Sequence, residues 1–261
     1  MANVVEMIHI FKSFGPVRAL QNVNLELGYG EVLGMVGDNA AGKSTLMKVL
    51  TGAYAADSGT IRFDDREVRW ASPHESRLAG IEMVYQDFAL AGNLDVCSNI
   101  FLGREATQPY LNSPLRLLDE KHMEEEARRL LERLKIEIKT VRLKVENLSG
   151  GQRQAVAIAR STAFQAKVVI MDEPTAALAV KEVSKVLEII RGLKEHNIAV
   201  IIISHRLQDI FQVCDRIMVL RQGRNVGERL VPETTMDEIV GLIVGAKEDA
   251  PDTIRRVASG A

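Results

Sequence analysis

The feature of the sequence that most limits its possible folds is a set of short runs of Val, Ile and Leu, which alternate with helical patterns from about Gly30 onward. Several runs are apolar at nearly every position, and this is typical of parallel strands that are buried on both faces. Strands that alternate with helices predict a parallel sheet covered by helices, and therefore an α/β fold. The predicted strands of this sheet are residues 32–36, 82–85, 168–172, 198–204 and 216–221.

A small antiparallel β-subdomain is predicted near the start of the chain. Residues 4–11 and 19–27 have the composition of strands, and the Gly15-Pro16 pair between them is a turn signal. Residues 60–63 add a further strand. We therefore expect a β-layer that flanks the parallel sheet.

A helical subdomain of about residues 87–150 is predicted as an insertion in the core. Within it, residues 119–134 carry Glu, Arg and Leu at spacings of three and four, which favours a helix with paired charges. Residues 104–118 contain two prolines and predict a surface loop between helices. We expect residues 1–246 to form one domain and residues 247–261 to form a polar, solvated tail.

Composition restricts the partners that this chain can have. The 33 basic and 35 acidic residues are mixed along 261 positions, so the formal net charge is −2 and no broad field attracts nucleic acid. Neither Cys97 nor Cys214 has another Cys or a His at ligand spacing, which argues against a disulfide framework or a zinc site. The most apolar stretch, residues 198–203, is far shorter than the roughly 20 residues of a membrane-spanning helix, and the first residues lack the pattern of a secretory signal. We expect any role at a membrane to depend on a membrane partner.

A glycine-rich segment between a predicted strand and a predicted helix is typical of a phosphate-binding loop. It follows the apolar run that ends at Val36 and it opens a helix near Lys43, so spacing and context both match the Walker A pattern. Glycines let backbone N–H groups turn toward phosphate oxygens, and the helix N-terminus adds about half a unit of positive charge. Lys43 adds a full charge and Ser44 can bind Mg²⁺. The predicted nucleotide-binding residues of this loop are Gly37, Asp38, Asn39, Ala40, Ala41, Gly42, Lys43, Ser44 and Thr45.

The apolar strand at residues 168–172 ends in two adjacent carboxylates, Asp172 and Glu173. This arrangement matches a Walker B segment. Phosphoryl transfer depends on positioning and on the neutralisation of charge, so two acids at this place can take two roles. We expect Asp172 to bind Mg²⁺, directly or through water, and Glu173 to polarise the attacking water.

The sequence Leu-Ser-Gly-Gly-Gln at residues 148–152 resembles the signature motif of ABC ATPases, and the next eight residues resemble the helix that it begins. A second helix N-terminus with unhindered backbone donors is a second anion site. The chain carries only one set of Lys43 and Asp172 to serve two such sites, which favours a head-to-tail dimer. The resemblance implies that the signature motif of each subunit closes over ATP held by the other. The predicted nucleotide contacts of this motif are Ser149, Gly150, Gly151 and Gln152.

The resemblance extends in order from about Val4 to Val244 and implies roles for three more residues. Phe14 corresponds to an aromatic that stacks on adenine, although an isolated Phe beside a turn is more often a core residue. Gln86 corresponds to the Q-loop glutamine, which reaches Mg²⁺ or the lytic water, although a lone Gln here could be solvated. His205 corresponds to the switch histidine that contacts the γ-phosphate, although a His at a strand end is often structural. The implied catalytic residues are Glu173, His205, Gln86 and Lys43, and the implied magnesium ligands are Ser44, Gln86 and Asp172.

Within the ABC family, residues 85–87, 99–105, 173–178 and 204–207 resemble ATPase subunits of importers for monosaccharides of the ribose, xylose and fructose type. This resemblance implies an α/β P-loop NTPase core of the RecA-like type, and ATP hydrolysis coupled to transport. It also implies a homodimer in the ATP-bound state, permease partners in the membrane, an indirectly linked sugar-binding protein, and a place on the cytoplasmic face of the inner membrane. Residues expected to face the permease are Phe88, Leu90, Asn93 and Leu94, although the apolar ones could equally be core.

Two residues depart from the family pattern. Ala40 stands where the phosphate-binding loop commonly has Gly, and its side chain can crowd the backbone near the phosphates. Ala179 stands where many ABC ATPases have an aspartate, which leaves communication across the dimer open.

Two other interpretations stay open from the sequence alone. One is a soluble ABC ATPase that acts in DNA repair or translation, and the lack of a second phosphate-binding loop or a long heptad run weighs against it. The other is a regulator that binds nucleotide without turnover, and the presence of both Glu173 and His205 weighs against it.

Overall fold

The computed structural model describes residues 2–110 and 115–246. The strands are β1 (Asn3–Phe14), β2 (Val17–Gly28), β3 (Val32–Val36), β4 (Ser58–Phe63), β5 (Arg66–Val68), β6 (Ile81–Val84), β7 (Thr107–Pro109), β8 (Arg116–Leu118), β9 (Val168–Asp172), β10 (Ala199–Ile203), β11 (Arg216–Arg221) and β12 (Arg224–Leu230). The α-helices are α1 (Lys43–Leu50), α2 (Pro73–Ala79), α3 (Val96–Phe101), α4 (Glu120–Arg133), α5 (Gly150–Thr162), α6 (Val180–Glu195), α7 (Leu207–Val213) and α8 (Met236–Val244), and 3-10 turns lie at Val145–Asn147 and Val231–Glu233.

The central sheet has the strand order β12-β11-β3-β10-β9-β6. Strands β11, β3, β10, β9 and β6 run parallel to one another, and the edge strand β12 pairs antiparallel with β11. All five predicted strands are present, each within two residues of its predicted bounds. Strand β12 was not predicted, because its residues Arg224–Leu230 are mostly polar and carry no apolar run.

Both faces of the sheet are covered, which explains why its strands are apolar throughout. Met35, Ile170 and Ile201 belong to a core that also contains residues of α1 and of the N-terminal strands. Their neighbours Met171 and Ile202 belong to a second core on the opposite face, with residues from α3 to α8. Side chains alternate across a strand, so each strand contributes to both cores. The α/β prediction is therefore confirmed.

The N-terminal strands form a separate antiparallel sheet with the order β2-β1-β4-β5. Strands β1 and β2 are joined at the predicted Gly15-Pro16 turn, where Phe14 pairs with Val17. Strand β5 was not predicted, since three residues are too short to show a periodic pattern. This sheet packs through Met7, Leu25 and their apolar neighbours onto the core that contains α1.

The helical region after Asp87 contains α3, α4 and the start of α5. Asp119 caps α4 by accepting a hydrogen bond from the His122 N–H at 3.1 Å, and the Glu124–Arg128 pair lies along the predicted charged face. The predicted surface loop over residues 104–118 is wrong in part, because β7 and β8 form a short antiparallel pair there. Backbone pairing between three-residue strands leaves no sequence pattern, which is why the turn residues alone suggested a loop. Residues 111–114 and the predicted tail at 247–261 lie outside the described residues.

No helix in residues 2–110 or 115–246 has the length and apolar character that a bilayer crossing requires.

A buried ion pair joins the edge of the sheet to the strands around it. Arg216 on β11 is paired with Glu228 on β12 at 2.8 Å and with Glu31 at 2.9 Å, and its Nη2 donates to the Glu26 carbonyl at 2.7 Å. Arg216 and Glu228 are both buried. Burial raises the pKa of Glu228, and the Arg216 charge opposes this shift. Each member of the pair therefore offsets the cost of burying the charge of the other.

We predict that Arg216→Ala will destabilise the fold strongly, because it leaves Glu228 buried without its cation. Removing one partner of a buried pair costs about 3–5 kcal/mol. For a chain of this size this corresponds to a fall in melting temperature of about 6 °C or more. Thermal unfolding measured by circular dichroism checks this, and the exposed Arg224→Ala on β12 is the control, with a shift of no more than about 2 °C. Equal shifts for the two variants would contradict the prediction.

Candidate functional site

The candidate site lies where the carboxyl ends of the parallel strands meet. The register places Ile203 beside Asp172 on one side and beside Met35 on the other. Strand β6 continues this alignment, with Val84 beside Met171. The segments that follow β3, β6, β9 and β10 therefore leave the sheet at the same edge, and these are the segments that carry most of the predicted site residues.

The glycine-rich loop runs from the end of β3 into α1. Gly37 has φ 146°, and a Cβ there would lie 2.0 Å from the Leu220 carbonyl oxygen. Gly42 has φ 105°, and a Cβ there would lie 2.8 Å from the Ala19 carbonyl oxygen. Both positions therefore require glycine. Ala40 has φ 63°, a left-handed conformation that costs a residue with a Cβ about 1 kcal/mol.

The ammonium group of Lys43 lies inside this loop. It donates to the Gly37 carbonyl at 2.6 Å and to the Asp38 carbonyl at 2.9 Å, and the residue is buried. Burial lowers the pKa of Lys43, whereas the charges of Glu173 and Asp172 oppose the shift. The loop therefore holds a partly desolvated cation next to two acids.

Glu173 and His205 contact each other across the ends of β9 and β10. The His205 N–H donates to Glu173 Oε1 at 3.1 Å, and His205 Nε2 lies 3.4 Å from the same oxygen. Ser204 Oγ lies 3.5 Å from Glu173 Oε2. One carboxylate is thus oriented by three groups that follow β10, while the His205 side chain stays about half exposed, at 53%.

Burial raises the pKa values of both acids at the end of β9. For Asp172 the opposing charges are Lys43 and then His205, and for Glu173 the main opposing charge is His205. Asp172 also raises the pKa of Glu173, because two like charges lie close together. A carboxylate that is desolvated in this way is a better proton acceptor than a solvated one.

The backbone at Glu173 is strained. Its φ is 51°, a region that residues with a Cβ rarely adopt, and its N–H donates to the Ile203 carbonyl at 2.9 Å. The following turn is fixed by the Thr175 hydroxyl, which donates to Asp209 on α7 at 2.5 Å. Strained residues persist where the surroundings determine their conformation, and they concentrate at functional sites.

Two of the predicted residues lie farther from these contacts. Gln86 is exposed and follows β6, two residues after Val84. Val84 pairs with Met171, so Gln86 lies at the same level of the sheet as Glu173, which is two residues after Met171. Phe14 lies at the end of β1 with 43% of its surface exposed, and its ring meets the edge of Tyr54 at a centroid distance of 5.1 Å. An exposed ring is free to stack on a ligand, so the alternative in which Phe14 is a core residue does not fit this position.

The signature-like residues form a second candidate site away from the glycine-rich loop. Ser149 is the N-cap of α5, where its Oγ accepts from the Gln152 N–H at 3.3 Å and its own N–H donates to Gln152 Oε1 at 3.1 Å. Ser149, Gly151 and Gln152 line a groove of about 920 Å³ between α4, α5 and α6. Residues of the glycine-rich loop do not line this groove.

The residues at the first site fit a nucleotide phosphate and Mg²⁺. Helix α1 has no side-chain cap and no acid in its first turn among the described residues, so its first N–H groups and Lys43 face the loop as donors. The exposed Ser44 hydroxyl and the Asp172 carboxylate are oxygen ligands of the kind that Mg²⁺ prefers. Bound Mg²⁺ would neutralise charge on the phosphates.

Three residues that make contacts at these sites were not predicted from the sequence. Ser204 contacts Glu173, and Tyr54 contacts Phe14. Glu182 contacts the start of α5, and the sequence does not indicate it, because the capping-box signal needs Ser or Thr where Ala179 stands. Ser204 precedes His205 and could have been inferred from that position, whereas nothing in the sequence indicates Tyr54.

Comparison with known proteins identifies relatives over almost the whole chain. The family model described as "ABC transporter" matches residues 20–176. The xylose/arabinose import ATP-binding protein of Sulfolobus acidocaldarius is 46% identical, with 93% of this chain and 94% of that protein covered. The fructose import ATP-binding protein of Rhizobium meliloti is 43% identical, with 94% and 95% covered.

Solved structures agree with this result. The ADP conformation of an ATP-binding cassette of an ABC transporter matches with a TM-score of 0.76 and 26% identity, and it covers 100% of both chains. A dimeric post-hydrolysis state of another ATP-binding cassette, bound to ADP and Pi, matches with a TM-score of 0.71 and 26% identity over 87% of this chain and 98% of that one.

We predict that Gly37→Ala will both destabilise the chain and abolish nucleotide binding. The new Cβ would lie 2.0 Å from the Leu220 carbonyl oxygen at a φ of 146°, so the loop has to move. Strain of this kind costs about 1–3 kcal/mol before the clash is added. Differential scanning fluorimetry and titration with a fluorescent ATP analogue check the two effects.

Gly192→Ala on α6 is the matched control. A Cβ at Gly192 meets nothing within 4 Å, and Ala is favoured over Gly in a helix by about 1 kcal/mol. This variant should keep nucleotide binding and melt at the same or a higher temperature. Normal binding by the Gly37→Ala protein would contradict the assignment of the loop.

Proposed function

Since this chain belongs to the ABC transporter ATP-binding family, we propose that it binds ATP at the glycine-rich loop and hydrolyses it to energise the import of a monosaccharide. The observation that carries the proposal is the Glu173–His205 contact, with Oε1 of Glu173 accepting from the His205 N–H at 3.1 Å beside the buried Lys43. The import ATP-binding proteins for xylose/arabinose and fructose are 46% and 43% identical to this chain, which supports a sugar as the solute. The same relatives favour transport over DNA repair or translation.

Binding starts with the glycine-rich loop. The ammonium of Lys43 leaves the Gly37 and Asp38 carbonyls, which it now contacts at 2.6 and 2.9 Å, and turns to the phosphates. The first N–H groups of α1 donate to the same oxygens, together with the field of the helix. Ser44 and Asp172 would hold Mg²⁺ and Gln86 would be a further oxygen ligand, and the ion would neutralise charge on the phosphates. Phe14 stacks on the adenine ring.

Hydrolysis uses the desolvated carboxylate of Glu173. Burial raises its pKa, so it is a competent base toward a water molecule in line with the γ-phosphate. His205 keeps this carboxylate in place through its backbone N–H and extends its half-exposed ring toward the terminal phosphate. Because His205 Nε2 also lies 3.4 Å from Glu173 Oε1, substitutions of the two side chains should not be additive.

We propose that the active form is a head-to-tail homodimer. Ser149, Gly151 and Gln152 line a groove that is separate from the glycine-rich loop, so one copy does not bring its two phosphate-binding helix ends together. A second copy can supply the missing end to each nucleotide. The dimeric post-hydrolysis cassette bound to ADP and Pi supports this arrangement.

The membrane partner is proposed to bind beside Gln86. A cavity of about 330 Å³ opens there between α2, β6, α3 and α5, and its lining includes Tyr85, Phe88 and Leu102. Tyr85 and Leu102 are about half exposed, at 48% and 47%. Exposed apolar side chains around a cavity suit a short helix of a permease. Leu90 packs against the core. Of the four residues expected from the sequence to face the permease, only Phe88 lines the cavity, and it is retained.

The same proposal includes a place for this chain in the cell. A permease in the membrane holds this chain at the cytoplasmic face, and a sugar-binding protein delivers the solute to the other side. The chain itself does not contact the sugar, so its residues do not select it.

We predict that Glu173→Gln will bind Mg-ATP with near-normal affinity but hydrolyse it at least about 10²-fold more slowly. The amide keeps the size of the side chain and removes its basicity. Phosphate release in single turnover, together with ATP binding by calorimetry, checks the prediction. Unchanged turnover would reject Glu173 as the base.

The control for this experiment is Glu125→Gln, which changes an exposed carboxylate on α4. This variant should hydrolyse ATP at the normal rate. His205→Ala should also slow hydrolysis, and the double variant should be little slower than Glu173→Gln alone. Additive effects would show that the two residues act separately.

We predict that Leu102→Asp will weaken binding to the permease without changing basal ATPase activity. Leu102 lines the cavity, and a carboxylate at this position would have to lose its water when the permease binds. The matched control is Leu78→Asp on α2, because Leu78 is 74% exposed and does not line the cavity. Purification of tagged protein from its source membranes in mild detergent should recover an integral-membrane protein with the wild type and the control only. Equal recovery with Leu102→Asp would reject this docking surface.

A further inference from the structure

The N-terminus of α5 is covered by a carboxylate from α6. Glu182 lies in the first turn of α6, and a Cβ placed on Gly151 would come 2.7 Å from Glu182 Cβ and 3.2 Å from its Cδ. A Cβ on Gly150 would lie 3.7 Å from Glu182 Oε2. The side chain can therefore lie over the start of α5 only because position 151 is glycine, and its carboxylate reaches Gly150 at an ordinary contact distance.

The groups that face this carboxylate are the donors at the start of α5. The Ser149 hydroxyl and the Gly151 N–H, followed by the Ala179 N–H, hold the pKa of Glu182 below its usual range. The Ala179 N–H donates to Oε2 at 3.3 Å. Ala179 has no side-chain oxygen, so Glu182 is the only side chain of the two that can cap α6. The carboxylate thus caps α6 and lies against the start of α5.

Ser149 and Gly151 are the donors that the proposed dimer uses for the terminal phosphate of the partner's ATP. A carboxylate and a phosphate cannot accept from the same donors at the same time, and two anions at one helix end repel each other. The phosphate can bind only after Glu182 has moved. The groove beside α6 has room for this movement, since it measures about 920 Å³ and its lining includes Lys181 and Lys185.

We propose that Glu182 is an internal competitor of ATP, which occupies the phosphate-binding end of α5 in the separate protomer and opposes closure of the dimer until ATP displaces it. This inference rests on the proposed head-to-tail dimer and adds a regulatory contact to it. The carboxylate keeps a negative charge at the start of α5 between turnovers. It also raises the ATP concentration at which two copies close.

The test compares Glu173→Gln with the double variant Glu173→Gln/Glu182→Gln. Blocked hydrolysis lets the ATP-bound dimer accumulate. Glutamine keeps the oxygen that accepts from the Ala179 N–H, so the cap of α6 is retained, and only the competing charge is lost. Light scattering gives the Mg-ATP concentration at half-maximal dimerisation. Loss of an anion from a helix N-terminus at both sites of the dimer should lower this concentration about three- to tenfold.

The control is Glu173→Gln/Glu125→Gln, which removes a charge from an exposed position of α4 that does not line the groove and should leave the half-maximal concentration unchanged. Glu173→Gln/Glu182→Ala is a second test variant, and melting temperatures report whether each variant is folded. A lower Mg-ATP concentration at half-maximal dimerisation in the Gln or the Ala variant supports the proposal. If neither variant lowers this concentration, the proposal is overturned. A lower melting temperature together with a higher concentration then assigns Glu182 a structural role.

The same measurements separate this inference from the function on which it rests. If Glu173→Gln dimerises with ATP and the Glu182 variants do not shift, only the inference is wrong. If every variant binds ATP but stays monomeric, the head-to-tail dimer is wrong and the inference falls with it.

Discussion

The site depends on the parallel register that aligns the ends of β3, β9 and β10. Asp172 lies beside Ile203, and Ile203 lies beside Met35, so the next residues of each strand leave the sheet at the same level. A shift of one residue in any strand would turn its side chains to the opposite face and separate these groups. Both faces of the sheet are buried in cores of specific side chains. A shifted strand would place the wrong side chains in both cores, and this holds the register.

Around this edge the fold keeps charges partly out of water and lets them oppose one another. Burial lowers the pKa of Lys43 and raises those of Asp172 and Glu173, and each of these shifts is reduced by a charge of opposite sign nearby. Such an arrangement stabilises the fold little, because desolvation offsets most of the attraction between partly buried charges. It leaves one strong donor, Lys43, and two carboxylate acceptors at the place proposed for phosphate and Mg²⁺. The strained backbone of Glu173, with φ 51°, fits the same description.

The two helix ends that are proposed to bind phosphate differ in their internal contacts. At α1 no side chain of the described residues caps the helix, and Lys43 bonds instead to the Gly37 and Asp38 carbonyls. At α5 the Ser149 capping box satisfies donors, and the Glu182 side chain lies against Gly151. In each case a charged side chain of the same copy lies against groups that are proposed to bind nucleotide. In the proposed mechanism, ATP binding exchanges internal contacts for external ones, which lowers the net gain in free energy.

The sequence by itself determined the class of fold, the places of five parallel strands, the glycine-rich loop, the acids at Asp172 and Glu173, and the family. These features depend on local patterns, such as apolar runs and fixed spacings, which a single stretch of chain displays in full. It did not indicate β5, β7, β8 or β12, because short or polar strands are defined by their neighbours and leave no periodic pattern of their own. Only the tertiary structure decided which residues meet across long separations, such as Glu182 over Gly151 and Tyr54 against Phe14. Those contacts join segments distant in the chain, and their geometry is set by packing that no local pattern contains.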